Sequence, residues 1–266
     1  MNAHVVQRIE LNSTLIILRV APDGWQFSEF IAGQYGVLGL PGRAPRVAHS
    51  DMEETPADPD KLIRRAYSIG SAPSEPGVLE FFISLVASGA LTPRLFALRP
   101  GDPVWLATKI TGMFTLQDVP DDQNLILIST GTGLTPYMSM LRSASCAGLK
   151  RKVLIMNGAR HSWDLGYHEE LTSVAKHSDR FTYLPIISRP QAEEVPWGGF
   201  TGYVQELWGT GQLEEHWKHS RDPKDCHVFL CGNPSMTSEA AQMSEQEGFK
   251  LHSRRNPGNL HVEKFW

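Results

Sequence analysis

The stretch from Leu125 to Pro136 constrains the fold of this chain more than any other part of its sequence. It starts with a continuous apolar run of strand length, which is typical of a parallel strand buried on both faces. Gly131 and Gly133 follow at once, and Pro136 suits the first turn of a helix because its missing N–H needs no partner there. A strand, a glycine turn and a helix N-terminus leave unpaired N–H groups at one point, which predicts a phosphate site. An ordinary strand-to-helix turn fits Gly-x-Gly equally well, so the motif alone leaves both interpretations open.

The patterns on either side of this stretch predict two domains of different class. Residues 1–117 contain short strands separated by turn signals, which indicates a small antiparallel β-barrel. Residues 118–266 begin with a polar linker and then alternate strands with helices, which indicates a doubly wound parallel sheet. Residues 41–60 are rich in proline and charge, so we predict a long loop there, to which the sequence assigns no role. The predicted strands are 13–20, 33–40, 65–71, 79–86, 103–108, 125–130, 152–157, 181–187 and 226–230, and the predicted helices are 91–98, 136–147, 167–177 and one that ends at Gly248.

The composition excludes several functional classes. With 266 residues, 41% of them hydrophobic and 20% charged, the sequence is that of a folded globular protein. A net charge of −4 argues against a dedicated nucleic-acid binder, which would carry a basic excess. The N-terminus lacks a signal-peptide core and no run of about 18 apolar residues occurs, so we expect a cytoplasmic protein that does not enter a membrane. Three scattered cysteines and ten histidines form no iron–sulfur, disulfide or zinc pattern, so we expect no metal.

Three further strand ends in the second predicted domain carry residues suited to a nucleotide. Asn233 and Pro234 follow Cys231 and Gly232, and they fit the N-cap and first position of a helix. Two other predicted strands end in Arg160 and Arg189. Ligands of such sheets collect at the carboxyl ends of the strands, and guanidinium binds phosphate through two parallel hydrogen bonds, which would suit a 2′-phosphate. Taken singly, each arginine is better explained as a solvated surface side chain.

The first predicted domain offers its own ligand-binding candidates. Strand alternation places Arg65 and Tyr67 on one face and Ser68 on the other. A cation beside an aromatic ring fits a pyrophosphate next to a flat heterocycle, and it equally fits a surface cation–π pair. The segment 88–93 follows a strand and precedes a short helix, so it is another candidate phosphate cradle. The apolar residues that end the chain at 265–266 would either plug the structure or cover a ligand ring.

Together these motifs resemble the ferredoxin–NADP(+) reductases, in particular the bacterial flavodoxin/ferredoxin–NADP(+) reductases whose chains also end in tryptophan. The resemblance covers nearly the full chain, in the order and at the spacing of the family. It implies an FAD-binding barrel over residues 1–117 and an NADP-binding domain with a flavin-covering tail over residues 118–266. Hydride would pass from NADPH to flavin N5, and single electrons would pass to ferredoxin or flavodoxin. The motifs that carry it are Arg65-Ala66-Tyr67-Ser68, Gly131-Thr132-Gly133-x-x-Pro136, Cys231-Gly232-Asn233-Pro234 and the terminal aromatic residue.

The resemblance also implies roles for individual residues around the flavin. Arg65, next to Ala66, would bind the FAD pyrophosphate, Tyr67 would stack on the isoalloxazine, and Ser68 would lie by N5. Phe265 would close the second face of the flavin, and Trp266 would lie on the adenine. The backbone of the remaining residues would hold the flavin edge (Ile83, Ser84, Leu85) and the phosphates (Ala90, Leu91, Thr92, Pro93).

For the nicotinamide nucleotide, the resemblance implies a second group of residues. Thr132 and Gly133 would lie between flavin and nicotinamide, and Cys231 would approach the nicotinamide, followed by Gly232 and Asn233. The adenosine 2′-phosphate would be bound by Ala159, Arg160, Ser188 and Arg189. The residues expected to act in catalysis are Ser68, Cys231 and Phe265.

One position departs from the family pattern, and other functions stay open beside the leading one. Tyr203 stands where relatives often carry an arginine, so one phosphate contact is expected to be missing. An NAD(P)H-dependent flavin reductase or the reductase component of an oxygenase is a second possibility, although the cysteine count excludes the iron–sulfur domain often fused to the latter. A flavin-binding redox sensor that does not turn over is a third. We expect a monomer that meets its ferredoxin or flavodoxin partner transiently.

Overall fold

The computed structural model describes residues 1–143 and 151–264. Its contacts divide the chain into two compact units. The first contains Met1–Thr115 and the segment that begins at Thr135, and the second contains Leu116–Leu134 and the described residues from 151 onward. The helix after Leu134, which the sequence analysis assigned to the second domain, therefore groups with the first unit. The domain boundary between residues 117 and 118 stays a prediction.

The first unit is built on one antiparallel sheet of six strands with the order β4-β3-β6-β1-β2-β5. Just after β4, the Gly70 N–H donates to the carbonyl of Glu80 in β5 at 2.8 Å, so the two ends of the sheet approach each other as in a barrel. The elements are β1 (Ala3–Asn12), β2 (Leu15–Pro22), β3 (Tyr35–Pro41), β4 (Leu62–Ser68), β5 (Leu79–Ser84), the helix α1 (Thr92–Phe96) and β6 (Pro103–Leu106).

The core of this unit follows from strand alternation. Ile16 and Leu18 on β2 and Phe81 on β5 are fully buried, and Leu95 of α1 joins the same cluster. The sequence analysis missed β1, because only its first residues face the core and the rest of the strand is a mixture of polar and apolar residues on the surface. A periodic pattern is absent from such a strand.

The helix α2 (Thr135–Arg142) is held to the first unit by a buried charge network. Arg142 Nη1 donates to the Gly70 carbonyl at 3.0 Å and to Glu80 Oε1 at 2.7 Å. Arg19 Nε donates to the other Glu80 carboxylate oxygen at 2.8 Å. The Glu80 side chain is 3% exposed, so the two arginines provide the partners that a buried carboxylate requires.

The second unit contains a six-stranded parallel sheet with the order β10-β9-β8-β7-β11-β12. The strands β8 to β10 extend from one side of β7, whereas β11 and β12 extend from the other. The strand order therefore reverses between β7 and β11, which is the topological switch point where open α/β sheets bind ligands. The elements are β7 (Asn124–Thr130), β8 (Val153–Ala159), α3 (His168–His177), β9 (Phe181–Ile187), β10 (Phe200–Thr201), α4 (Gln212–Trp217), β11 (Cys226–Gly232), α5 (Pro234–Gln246) and β12 (Leu260–Lys264).

These two sheets confirm the predicted fold class, an antiparallel barrel followed by a doubly wound parallel sheet. The helix α5 begins as predicted, because the Asn233 side chain accepts the Ser235 N–H at 2.8 Å and Pro234 occupies the first turn. It is the longest helix among the described residues, at 13 residues. Within those residues, no helix has both the length and the apolar character needed to span a bilayer.

One face of β11 and β12 buries a cluster of histidines. The His261 ring stacks on Phe229 with 4.1 Å between centroids and on His252 with 4.5 Å. His261 Nε2 lies 3.0 Å from His227 Nδ1, a distance at which one ring nitrogen donates to the other. Burial, with the nearby imidazole of His252, lowers the pKa of His227 to about 4 and that of His261 to about 3. Both rings are therefore neutral at neutral pH.

Candidate functional site

In the first unit, the predicted flavin motif lies on β4 at the end of the strand order. Arg65 is exposed, Tyr67 is half-buried against the core, and Ser68 is 5% exposed. Burial raises the pKa of the Tyr67 phenol, so the ring is neutral. Among the described residues Arg65 forms no ion pair, and its side chain donates only to the Arg64 carbonyl, at 2.8 Å. The guanidinium is therefore available for an anionic ligand, and an aromatic ring lies on the same strand two residues away.

The predicted flavin-edge residues lie at the end of β5. Ile83 is buried, whereas Ser84 is exposed as the last residue of the strand. The Leu85 N–H donates to the Thr14 carbonyl at 2.9 Å. In the described sheet, β5 pairs with β2 as a strand, and the backbone of Glu80 on its other edge bonds to Gly70 and Ser71. A flat ligand would therefore meet the backbone at the carboxyl end of β5, beyond Glu80.

The predicted phosphate cradle precedes α1. Thr92 Oγ1 accepts the Val86 N–H at 3.0 Å and donates to the Val86 carbonyl at 3.1 Å, which folds the segment into a compact turn. Pro93 lies in the first turn of the helix. Within the part of the chain that the structure describes, the N–H groups of Ala90, Leu91 and Thr92 have no protein acceptor. Such N–H groups suit a phosphate.

In the second unit, the two glycine turns lie against each other at the switch point. A Cβ on Gly133 would meet the carbonyl oxygen of Cys231, and a Cβ on Gly232 would meet Thr130 Oγ1, each closer than 3.0 Å. Thr130 Oγ1 also accepts the Asn233 N–H at 2.8 Å. The turns can approach this closely only because both positions lack a side chain. Thr132, half-buried, lies in the first of them.

Cys231 is fully buried beside a carboxylate. Its Sγ lies 3.8 Å from Glu263 Oε2, because Cys231 and Glu263 are paired across β11 and β12. Burial and the charge of Glu263 raise the pKa of the Cys231 thiol well above its usual range, so it stays protonated at neutral pH. The sequence analysis gave Glu263 no role of its own, although its place two residues before Phe265 was a signal. Phe265 and Trp266 lie outside the described residues.

The two arginine segments lie side by side at the carboxyl ends of β8 and β9. The Ser188 N–H donates to the Ala159 carbonyl at 3.0 Å, and the Arg189 N–H donates to the Arg160 carbonyl at 2.9 Å. Both side chains are exposed. Arg160 Nε lies 3.4 Å from a carboxylate oxygen of Asp164, whereas Arg189 forms no ion pair among the described residues.

Carboxylates that the sequence analysis did not assign stand next to these arginines. Glu193 accepts the backbone N–H of Ser162 at 2.9 Å and also the Ser162 hydroxyl. These hydrogen bonds lower the pKa of Glu193, so it is ionised at neutral pH. Tyr203 is 62% exposed, and its N–H donates to Glu206 Oε2 at 2.9 Å. This edge of the sheet therefore carries both signs of charge.

A separate cluster of potential metal ligands lies at the amino end of β11. Ligand atoms of His219, Asp225 and Cys226 are within 4.8 Å of one another. Asn124 Oδ1 accepts the Lys152 N–H at 2.8 Å, so its Nδ2 is the atom that lies 2.9 Å from His219 Nε2. His219 Nε2 also lies 3.0 Å from Asp225 Oδ2, and one ring nitrogen cannot both accept from Asn124 and donate to Asp225. The absence of a metal stays a prediction.

Comparisons with known proteins place this geometry in a family. The family model described as the oxidoreductase NAD-binding domain matches residues 127–242. The flavodoxin/ferredoxin–NADP reductase of Buchnera aphidicola subsp. Baizongia pistaciae is 31% identical over 241 residues, which cover 90% of this chain and 89% of that protein. The enzyme of the same name from Escherichia coli (strain K12) is 32% identical over 239 residues, 89% of this chain and 88% of that protein.

A solved structure shares the whole fold. The crystal structure of a ferredoxin NADP+ reductase from Neisseria gonorrhoeae with bound FAD and NADP has a TM-score of 0.82 at 23% identity, and the match covers 100% of this chain and 98% of that one. The family resemblance predicted from the four sequence motifs is confirmed by these matches, which cover about nine-tenths of the chain. The chain belongs to the flavodoxin/ferredoxin–NADP reductase family.

Proposed function

We propose that this chain is an FAD-dependent oxidoreductase that passes hydride between NADPH and FAD and exchanges single electrons with ferredoxin or flavodoxin. The observation that carries the proposal is the identity above 30% with flavodoxin/ferredoxin–NADP reductases over about nine-tenths of the chain. The arrangement of groups in each unit fits these cofactors. When bound, FAD accepts the hydride and releases electrons one at a time.

The groups of the first unit fit FAD. Among residues 1–143 and 151–264, Arg65 has guanidinium N–H groups left over for the pyrophosphate, and the N–H groups of Ala90 to Thr92 have no acceptor. Tyr67 would stack on the isoalloxazine as a neutral ring, which adds contact area at little cost in side-chain entropy. Ser68 is buried, so its hydroxyl would offer a hydrogen bond in a place with little water.

The groups of the second unit fit a nicotinamide nucleotide. The side-chain-free backbone at Gly133 and Gly232 would let the nicotinamide approach closely, and Thr132 would border it. The protonated thiol of Cys231 would orient the nicotinamide by contact, since a thiol with a raised pKa is a poor nucleophile. Arg160 and Arg189 would bind the adenosine 2′-phosphate. The guanidinium of Arg160 already forms an ion pair with Asp164.

We further propose a cytoplasmic monomer that binds ferredoxin or flavodoxin transiently. The names of the relatives support the choice of these carriers.

The test is a carrier-dependent assay on the purified protein. We expect bound FAD, oxidation of NADPH, and rapid cytochrome c reduction only after ferredoxin or flavodoxin is added. Equal turnover with free flavin and no carrier would indicate a flavin reductase instead. Bound flavin that NADPH does not reduce would indicate a sensor and contradict the proposal.

A further inference from the structure

The loop at residues 42–61 is far longer than its position requires. It connects β3 and β4, which are directly paired, with Pro41 opposite Leu62. A hairpin between such neighbours usually needs only two to five residues. None of the residues in this loop forms a helix or strand. A long loop without secondary structure in a compact unit is commonly functional.

Glu53 anchors the loop by accepting hydrogen bonds from two arginines. Arg94 donates from Nη1 to Glu53 Oε1 at 2.7 Å and from Nη2 to Oε2 at 3.0 Å, which is the strong two-pronged geometry. Arg46 Nη1 donates to Oε1 at 3.1 Å. The side chains are 15%, 3% and 16% exposed for Glu53, Arg94 and Arg46. The hydrogen bonds from Arg94 lower the pKa of Glu53, so the carboxylate is charged at neutral pH.

The same two arginines hold the segment just ahead of α1. Arg46 donates to the carbonyls of Ala87 at 3.2 Å and Gly89 at 2.9 Å. Arg94 Nη1 donates to the carbonyl of Ala90 at 2.6 Å. Three carbonyls of one short segment therefore face the arginines that Glu53 holds in place.

The orientation of these carbonyls fixes the orientation of the free N–H groups. In a trans peptide, the C=O of one residue and the N–H of the next point in opposite directions. Because the carbonyls of Gly89 and Ala90 face the arginines, the N–H groups of Ala90 and Leu91 face away from them. These are two of the N–H groups that have no acceptor among the described residues. The hydrogen bonds from Arg46 and Arg94 therefore fix the direction in which the N–H groups of the phosphate cradle point.

We propose that Glu53 is a positioning residue for the phosphate portion of FAD, and that the loop at residues 42–61 braces the phosphate cradle through it. The inference rests on the proposed function, since it assigns FAD to the cradle. Without Glu53, Arg46 and Arg94 would stand next to each other with no shared counter-charge, and Arg94 would keep only its hydrogen bonds to the carbonyls of Gly42 and Ala90. The segment Ala87–Ala90 would then lose its fixed orientation.

If charge attraction alone mattered, removing the Glu53 carboxylate would strengthen phosphate binding, which is the opposite of what the inference predicts. This difference makes the inference testable. Removing a carboxylate adds net positive charge near the cradle and would tighten the binding of a phosphate. Loss of the fixed orientation of the cradle N–H groups would instead weaken the binding of a phosphate. A ligand with the same ring but no phosphate should be insensitive to either effect.

The experiment titrates the flavin-free full-length chain with FAD and with riboflavin, which lacks phosphate. For Glu53→Gln we expect the Kd for FAD to rise about tenfold or more, because charge-assisted hydrogen bonds that orient the cradle are lost. The Kd for riboflavin should stay unchanged. The control is Glu54→Gln, which removes an exposed neighbouring carboxylate and should change neither Kd.

An unchanged or lower Kd for FAD, or an equal rise for both flavins, would overturn the inference. If Glu53→Gln does not fold by circular dichroism, Glu53→Asp replaces it, because it keeps the charge while the shorter side chain loses reach to Arg46 and Arg94. The same outcomes then support or overturn the inference. Failure of the unaltered chain to bind FAD would instead overturn the proposed function, and the inference with it.

Discussion

Each unit contains a prominent cluster of polar side chains, and the two clusters differ in how they avoid unpaired charge. In the first unit, the buried Glu80 and the half-buried Glu53 each lie between two arginines. In the second unit, Cys231, His227 and His261 are buried in their neutral forms. The charged cluster around Glu53 lies beside the proposed phosphate cradle, whereas the protonated thiol of Cys231 lies beside the glycine turns proposed for the nicotinamide.

The largest effect that we expect is a loss of folding stability at acid pH. The pKa of His227 is about 4 in the folded chain, whereas an unfolded histidine has a pKa near 6.5. As the pH falls from about 6.5 to about 4, the unfolded state takes up the proton first, so the free energy of unfolding drops on the order of 3 kcal/mol for this group. His261 adds to the loss over a range that extends to about pH 3. Urea unfolding measured across this pH range checks the prediction.

Replacing one buried histidine separates the stability that the histidine cluster loses in acid from the stability that Glu53 of the first unit loses in acid. His261→Asn should reduce the difference in unfolding free energy between about pH 7 and pH 4.5, and His216→Asn, at an exposed histidine, should leave it unchanged. The lowered pKa of Glu53 stabilises the fold above its ordinary value of 4.5, and that stability disappears only as the pH falls below 4.5. Equal pH dependence for His261→Asn and the unaltered chain would contradict the neutral histidine cluster.

The next effect comes from Gly133→Ala. Its Cβ would meet the Cys231 carbonyl, a backbone atom that cannot rotate away, so we expect a loss of about 1–3 kcal/mol in the free energy of unfolding. Flavin reduction by NADPH should fall as well, with FAD still bound. The matched control is Gly198→Ala, whose new Cβ would meet no atom of the described residues within 4 Å. Similar losses for both variants would show that the close approach of the two turns has no special role.

A smaller effect is expected at the exposed edge of the second unit. Arg189→Ala removes a guanidinium that forms no ion pair among the described residues, so stability should hardly change. A charge-assisted contact of this kind contributes roughly 1.5–3 kcal/mol, so the KM for NADPH should rise more than about tenfold while that for NADH stays the same. Steady-state kinetics with both nucleotides measures this. Equal losses would mean that Arg189 is structural.

Strands made of a continuous apolar run were predictable from the sequence, whereas strands that mix polar and apolar residues were not. The runs at Leu125–Ile128 and Phe181–Ile187 face the core on both sides, so their composition alone indicates buried strands. The strand β12 was missed because His261 and Glu263 interrupt it, and α4 because six residues are too few to show a helical period.

Some features of the candidate site were likewise predictable from the sequence, and others were not. Turns at strand ends were predictable, because glycine and proline act locally. The contacts of Glu53 with Arg94 and of Cys231 with Glu263 join residues that are far apart in sequence, so no local pattern contains them. The contrast between the paired charges at Glu53 and the neutral groups at Cys231 and His261 therefore required the structure.

The central claim is that this chain accepts hydride from NADPH onto bound FAD, and stopped-flow absorbance tests it most directly. The purified protein is mixed anaerobically with NADPH and, in parallel, with NADH. We predict rapid bleaching of the flavin absorbance by NADPH, and slower bleaching or a higher half-saturating concentration with NADH, because only NADPH has the adenosine 2′-phosphate for Arg160 and Arg189. A flavin that NADPH leaves oxidised would contradict the account.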